Sequence, residues 1–216
     1  KGHEIGCHGY SHAVEHSFDI LSNRQQYIHL TKAIKILESC SGKKVKSFRA
    51  PALRISDSTL PILQKLGITT DSSVASQRFD GPLTFGSLRK IKWLLAPRNP
   101  YFPNAYNPYK MGRLNIIEIP VSALIVAYQG TTMRVSKSLN DIIGSFLYWE
   151  SKLSTKPIVF IFHPNEVIDE HINGSITKRG KNFISSFFGD YIRNRLKRKN
   201  LGMPAINLLE NVITSA

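Results

Sequence analysis

Apolar runs typical of buried strands alternate along the chain with segments that carry helical spacing. The runs are "SFRAPAL", "GITTDSSV", "NIIEIPVSALIV" and "PIVFIFH", and short apolar runs with β-branched and aromatic residues favour strands. The segments between and around them predict helices over 24–39, 56–66, 138–153 and 181–199. Strands separated by helices are typical of a parallel sheet or barrel, so we expect an α/β fold.

Two stretches carry clear punctuation. In "SDSTLPILQKLG", Ser56 or Asp57 is a suitable N-cap and Gly67 is a suitable stop, which supports the second helix. In "LLAPRNPYFPNAYNPYKMG", four prolines interrupt any helix or strand ladder. This stretch therefore predicts a long loop.

Length and composition limit the protein class. The chain has 216 residues, 42% of them hydrophobic, which suits a single domain spanning residues 1–216. No apolar run reaches the roughly 20 residues of a membrane span. Because the chain opens on Lys1 and Gly2, we expect its true start to lie upstream. Cys7 and Cys40 are too few for a disulfide framework, although the two could form a single bridge. Their number does not distinguish a cytoplasmic from a cell-envelope location.

A formal charge of +14, concentrated in residues 193–199, suits an acidic partner such as nucleic acid, an anionic envelope or an anionic glycan. No nucleic-acid motif accompanies the charge, so we predict no nucleic-acid partner. The surrounding "FISSFFGDYIRNRLKRKN" predicts an amphipathic helix whose basic face is simply solvated. Its inward residues would be Phe183, Phe187, Tyr191 and Leu196. Association with an anionic envelope or with further copies of the chain stays open.

Reactive side chains fall where predicted strands end. They are His8 after "HEIGC", Arg49 in "SFRAP", Asp71 in "GITTDSS" and His163 at the end of "PIVFIFH". In parallel α/β folds, chemistry gathers at the carboxyl ends of strands, so these residues are expected to converge.

The stretch "GHEIGCHGYSH" places His8 and His12 four residues apart, so that on a helical turn they would share a face and could hold a divalent metal. Imidazole suits zinc, and a catalytic zinc site typically has three protein ligands and a water. Gly6 and Gly9 free the backbone beside the pair. We therefore predict a metal site whose third ligand is still to be found. Cys7 is a candidate ligand, although a small buried residue would give the same pattern.

An overlapping motif predicts a different enzyme. "HAVEH" is a literal H-x-x-E-H, in which His12 and His16 would bind zinc and Glu15 would act as general base, as in inverted zincin peptidases. That chemistry requires the motif to lie within a helix. Here it directly follows a strand and a glycine-bearing turn, which is poor context for it.

Three stretches together carry a family resemblance. "GHEIGCHGYSH", "FRAPALRISDSTLPILQKLGITTDSSV" and "FIFHP" resemble, in order and spacing, the NodB-homology polysaccharide deacetylases of carbohydrate esterase family 4. The resemblance covers most of the chain and is strongest to the branch with "RAP" and "DSS" sequences. It implies a distorted (β/α) barrel and a zinc or similar ion held by an aspartate and two histidines.

The resemblance assigns a role to each motif residue. It implies that His8 and His12 are metal ligands and that Arg49 orients a catalytic carboxylate. The groove beside Arg49 would be shaped by Pro51 and Ala52. His163 matches the general acid, and Asp71 lies near a further motif whose usual tryptophan is absent.

The family's two adjacent aspartates, one the base and the other the third metal ligand, are not found in this sequence. We expect them upstream of Lys1.

Structural roles would produce the same residues. His163 would then be a core histidine that ends a buried strand. Arg49 would form an ion pair with Glu118 or Asp71, and Asp71 would cap a turn. The aromatic residues Tyr101, Phe102, Tyr106 and Tyr109 would either stack on sugar rings or pack within their own loop.

The sequence thus predicts a metal-dependent hydrolase that removes N-acetyl groups from an amino-sugar polymer or oligosaccharide, with Zn²⁺ as the best-suited divalent ion. Three alternatives remain: a carbohydrate-binding relative without catalysis, the zinc peptidase, and a basic scaffold for anionic polymers.

Overall fold

A computed structural model describes residues 2–79, 88–168, 187, 191–192, 195–196 and 198–214. The chain divides into two compact units, each with its own packing. Unit 1 comprises Lys1–Ala75 and Leu95–Pro120, and unit 2 comprises Ser76–Leu94 and Val121–Ala216. Most of the helix predicted over 181–199 lies outside the described residues.

A small parallel sheet forms the centre of unit 1. Its strands are β1 (Ser47–Phe48), β2 (Thr70–Asp71) and β5 (Ile117–Glu118), in the order β1-β2-β5. Cys7 adds a parallel bridge to Phe48. The expected parallel arrangement is present, but the described residues form no closed barrel of the kind that the family resemblance implies. The strands are also shorter than the apolar runs that predict them.

Two helices of unit 1 pack against each other. Helix α1 (Asn23–Ser41) begins with a capping box in which Ser22 and Gln25 satisfy each other's backbone N–H groups, and it ends at Gly42. Helix α2 (Thr59–Lys65) has Ser58 as its N-cap residue, so the predicted caps Ser56 and Asp57 are wrong by two and one positions. The helix stops before Gly67, whose φ is +81°. Both helices therefore lie close to their predicted positions.

The proline-rich stretch forms a hairpin, so the expectation of a long loop is wrong. Strands β3 (Pro103–Asn104) and β4 (Asn107–Met111) pair antiparallel. Proline has no N–H, but its carbonyl still accepts: the carbonyl of Pro103 takes the Leu114 amide and that of Pro108 takes the Tyr101 hydroxyl. Gly112 is also required, because a Cβ there would lie 2.3 Å from Asn104 Cα.

The described part of unit 2 contains a short antiparallel pair and three α-helices that are bounded in full. The strands are β6 (Ala123–Leu124) and β7 (Val126–Ala127), and the helices are α3 (Gly130–Val135), α4 (Lys137–Ser154) and α5 (Met203–Thr214). Ile143 and Leu147 of α4 are buried with Tyr128, and Phe160 and Val212 pack against them. Helices α3 and α5 are absent from the sequence prediction.

Two further expectations for unit 2 change. The run "PIVFIFH" has a single described bridge, Gln129 to Ile161, instead of a continuous strand. The expectation that Phe187 and Tyr191 face inward is wrong, since their side chains are 44% and 55% exposed. Their rings stack on each other with centroids 6.0 Å apart. No described helix is both long enough and apolar enough to cross a membrane.

Candidate functional site

Four chain segments of unit 1 line up at the carboxyl edge of its sheet. Cys7 lies opposite Phe48, Phe48 opposite Asp71, and Asp71 opposite Glu118. The next residue of each segment continues the ladder: the amide of Arg49 donates to Cys7 O, that of Ser72 to Phe48 O and that of Ile119 to Asp71 O, at 2.8–3.0 Å. This edge is where parallel sheets place ligand sites.

His8 is held in one tautomer at this edge. Its Nδ1 lies 2.6 Å from the carbonyl oxygen of Arg49. A carbonyl only accepts, so Nδ1 carries a proton, and in the neutral imidazole the lone pair is then on Nε2. The exposed ring of His12 lies beside it, with ring centroids 4.8 Å apart. The two predicted metal ligands are therefore neighbours.

The pair suits a divalent cation as part of a donor set. A ligating histidine usually donates its other N–H to a carbonyl or carboxylate, which is the arrangement of His8 with Arg49. A catalytic zinc ion needs a third protein ligand. Within the described ranges, no three His, Cys, Asp or Glu side chains form a group that could hold a metal ion.

The predicted groove residues have unusual backbone angles. Ala52 and Leu53 have φ values of 53° and 55°, in the left-handed region that costs a non-glycine residue about 1–2 kcal/mol. Leu53 is buried and Ala52 is exposed, while Pro51 is buried beneath them. The strained turn thus exposes Ala52 three residues after Arg49, whose carbonyl bonds to His8.

Gly9 is essential to the histidine turn. Its φ is +81°, and a Cβ there would lie 3.0 Å from Pro51 Cγ and 3.3 Å from Phe18 Cε2. Gly9→Ala should lower the free energy of unfolding by about 1–3 kcal/mol, because it combines backbone strain with crowding. Chemical denaturation measures the free energy of unfolding. Ala13→Gly is the control, because it removes a methyl group from the same segment instead of adding one. An unchanged midpoint for Gly9→Ala would contradict this requirement.

Arg49 points its guanidinium at the turn that follows β2. Its Nε donates to Ser72 O at 2.9 Å and its Nη2 to Ser72 Oγ at 2.6 Å. Burial lowers the pKa of Arg49, while the charges of Asp71 and Glu118 act in the opposite direction. Arg49 therefore fixes the Ser72 turn by hydrogen bonds and interacts with the two carboxyl groups through charge.

Asp71 and Glu118 form a fully buried carboxyl pair, which sequence reasoning missed. Asp71 Oδ1 accepts from Ser73 Oγ at 2.7 Å, and Glu118 Oε1 accepts from the Val74 amide at 2.9 Å. The second oxygen of each group is buried without any other hydrogen-bond donor. Burial raises the pKa of both groups, and the Asp71 charge raises that of Glu118 further. The pair therefore retains protons to higher pH than two free carboxyl groups would.

This pair is tied to the arginine turn. The Ser73 hydroxyl that donates to Asp71 also accepts the Ala50 amide at 2.9 Å. The sequence allows Asp71 to be either a site residue or a turn cap. Through Ser73 it does more than cap a turn, because it is linked to the segment that follows Arg49. The sequence also allows an ion pair of Arg49 with Asp71 or Glu118. The Arg49 guanidinium instead donates hydrogen bonds to Ser72.

The overlapping peptidase motif does not lie on an α-helix. Val14–His16 is a three-residue 3₁₀ turn. His16 Nδ1 lies 2.6 Å from Ser11 Oγ, and its ring packs edge-on against His29 at 4.7 Å between centroids. Partial burial lowers the pKa of His29, and the nearby charge of His16 lowers it further. His16 and Glu15 are therefore not arranged as the peptidase chemistry requires.

The cysteines are both free. Cys7 is buried, and burial raises the pKa of its thiol, whereas Cys40 is exposed. A bridge between them is not formed. A buried thiol with a raised pKa is a poor thiolate ligand, which favours the packing role for Cys7.

His163 belongs to unit 2 and is exposed, so it is not a core histidine. It is the N-cap residue of the 3₁₀ turn Pro164–Val167, and its carbonyl accepts the Glu166 amide at 2.9 Å. The apolar residues before it include the buried Ile161. An exposed imidazole next to a fixed turn is suited to proton transfer.

The predicted sugar-stacking aromatics differ in exposure. Tyr101 is buried, its hydroxyl donates to Pro108 O at 2.6 Å, and burial raises its pKa. Tyr109 is buried as well. Tyr106, at the tip between β3 and β4, is 86% exposed, and Phe102 is 48% exposed. Tyr101 and Tyr109 therefore pack within the hairpin, and Tyr106 and Phe102 offer ring faces to solvent.

Comparisons with known proteins agree on one family. Residues 1–70 match the family model for polysaccharide deacetylases. A peptidoglycan deacetylase-like protein of Gibberella zeae is 38% identical over 75 residues, which are 35% of this chain and 21% of that protein.

The fold comparison covers more of the chain. A crystal structure from Mycobacterium smegmatis, described as a polysaccharide deacetylase, matches with a TM-score of 0.50 and 19% identity, over 76% of this chain and 50% of that one. The chain spans about a fifth of the curated relative and half of the structural one. The resemblance of this chain to the polysaccharide deacetylases, predicted from its motifs, is therefore confirmed.

Proposed function

We propose that the protein is a metal-dependent hydrolase that removes N-acetyl groups from an amino-sugar polymer or oligosaccharide. The observation that carries the proposal is the His8–His12 pair, with Nδ1 of His8 bonded to the Arg49 carbonyl. This pair lies within the segment that matches the polysaccharide deacetylase model. The same relationship supports placing the parallel sheet of unit 1 in a distorted barrel.

His8 and His12 are the residues proposed to hold the ion. A divalent cation such as Zn²⁺ held by these residues would lower the pKa of its water from 15.7 to about 7, which would supply a nucleophile near neutral pH, and it would polarise the acetyl carbonyl. The hydrogen bond from His8 Nδ1 to the Arg49 carbonyl makes Nε2 the nitrogen that is proposed to bind the ion. Arg49 itself, anchored on Ser72, presents positive charge near the site.

The remaining roles concern the substrate. His163 is proposed to protonate the leaving amine, since an imidazole titrates near operating pH. The exposed turn at Ala52 is proposed to shape the groove and to face the oxyanion. Tyr106 is proposed to stack on a sugar ring, because its ring is almost fully exposed.

The test uses the full-length protein that contains this sequence. His8→Ala and His12→Ala should each weaken zinc binding about tenfold or more, because each removes a ligand. Calorimetry with zinc alone measures this. His29→Ala is the matched control, since it removes an imidazole that packs against His16 instead. Equal affinity in all four proteins would overturn the metal assignment.

His163→Ala should lower acetate release from N-acetylated oligosaccharides by about 10²–10⁴, the usual contribution of a general acid. Zinc affinity should not change. Acetate release is followed with zinc-loaded protein, and unchanged release would refute the role of His163. A protein that binds zinc and oligosaccharide but releases no acetate would instead be the carbohydrate-binding relative.

A further inference from the structure

Arg134 and Glu166 form a buried ion pair in unit 2. Arg134 Nε lies 3.2 Å from Glu166 Oε2, and their side chains are only 2% and 8% exposed. Taking two charges out of water is expensive, so a buried pair is weak evidence for stability and is best explained by a positional requirement. The position it fixes is that of the turn carrying Glu166.

That turn begins at His163. Glu166 lies in the 3₁₀ turn Pro164–Val167, and its amide donates to His163 O at 2.9 Å. The Glu166 carbonyl in turn accepts the Gly202 amide at 3.0 Å. The side chain, the amide and the carbonyl of Glu166 are therefore all engaged, and its neighbour three residues earlier is the proposed acid.

Arg134 connects the turn to a second segment. Its Nη1 donates to the Lys199 carbonyl, and its own carbonyl accepts from Asn200 Nδ2 at 2.7 Å. Lys199 Nζ donates to Val135 O at 2.9 Å. We call Arg134, Glu166, Lys199 and Asn200 the Arg134 clamp. The clamp joins the end of α3, the His163 turn and the start of the segment leading into α5.

The fit of the clamp depends on a missing side chain. A Cβ on Gly130 would lie 1.9 Å from Glu166 Oε2 and 2.8 Å from Phe162 Cδ2. The Gly130 amide also donates to Ile161 O at 2.7 Å. The Glu166 carboxylate therefore occupies space that only glycine at position 130 leaves open. Gly130 also lies against Ile161 and Phe162, the two residues that precede His163.

We propose that Arg134, acting through its buried ion pair with Glu166, is a positioning residue that holds His163 for proton transfer to the leaving amine. This inference rests on the proposed function. It adds two residues that no motif of the chain indicates.

A double-mutant cycle tests it in the full-length protein. Arg134→Lys keeps the charge but loses the fork that reaches both Glu166 and Lys199. It should lower kcat for acetate release about tenfold with little change in KM. In the His163→Ala background the same change should lower kcat less than about twofold, because the effects of residues acting as one unit are not additive. Arg113→Lys, at an exposed position of unit 1, is the matched control and should be silent.

Two different results distinguish a failure of the positioning role of Arg134 from a failure of the proposed role of His163. If Arg134→Lys lowers kcat equally in both backgrounds, the clamp is merely structural and the inference is overturned. If His163→Ala alone leaves kcat unchanged, the proposed function of His163 fails and not the clamp. NMR of labelled imidazoles gives a readout without activity: Arg134→Lys should shift the signals of His163 and leave those of His29 unmoved.

Glu166→Asp is a second variant that tests the same ion pair. Should Arg134→Lys fail to fold, Glu166→Asp retains both charges and shortens one side chain by a single methylene. The same shift at His163 is then expected. Unmoved His163 signals in a folded Glu166→Asp protein would contradict the positioning role.

Discussion

Gly130→Ala should destabilise unit 2 by about 3 kcal/mol or more. The new methyl carbon would lie 1.9 Å from the Glu166 carboxylate, so either α3 moves or the buried ion pair breaks. Overpacking costs about 1–3 kcal/mol, and breaking a buried pair costs about 3–5 kcal/mol. The gain of up to about 1 kcal/mol from replacing glycine in a helix does not offset this. Denaturant unfolding followed by far-UV circular dichroism measures the difference.

Thr131→Ala is the matched control for this change. It places the same small side chain one residue along α3, at a half-buried position. We expect its free energy of unfolding to stay within about 0.5 kcal/mol of that of the wild-type protein. If Gly130→Ala were equally stable, the space beside Glu166 would not be limiting and the tight fit of the Arg134 clamp would be refuted.

The stability of the protein should depend on pH through the Asp71–Glu118 pair. Folding raises the pKa of both carboxyl groups, mainly by burial. The folded state therefore keeps a proton that the unfolded chain releases near pH 4.5. The contribution of the pair is fully present below that pH and is lost as the pH rises toward the folded-state pKa. The loss is about 1.4 kcal/mol per pH unit for one retained proton.

Glu118→Gln isolates this effect. The amide keeps an oxygen for the Val74 N–H and offers an N–H to Asp71, so no proton has to be retained. Relative to the variant, the wild-type protein should lose stability as the pH rises above about 4.5, by up to about 1.4 kcal/mol per pH unit until the folded-state pKa is reached. Urea unfolding at several pH values gives both curves, with Asp57→Asn as an exposed carboxylate control. Parallel curves for the wild-type protein and Glu118→Gln would exclude a proton retained by the Asp71–Glu118 pair.

The helices are largely predictable because their signals are local. Ser22 and Gln25 cap α1, and Gly42 ends it within three residues of the predicted boundary. The hairpin was missed because prolines argue against strands, although their carbonyls still pair. The segment Met203–Thr214 carries apolar residues at helical spacing, among them Ala205, Leu208 and Val212, so α5 was missed although the sequence holds a signal for it.

The candidate site was only half predictable. His8, His12 and Arg49 stand in a motif whose spacing can be seen directly in the sequence. The partner of Asp71 cannot be found in this way, since Glu118 comes opposite it only when β2 and β5 pair in register. Arg134 and Glu166, separated by 32 residues, meet only through tertiary packing. Contacts of this kind depend on the fold and leave no periodic trace.

The ladder at the sheet edge also limits how the site can move. Each of Arg49, Ser72 and Ile119 hydrogen-bonds through its amide to the neighbouring segment, and strands of two residues have few other bonds. The bonds that hold the sheet together are therefore the bonds that locate His8 and Arg49. Local opening of the site and fraying of the sheet are one event, so amide exchange in both should occur as a single cooperative unit.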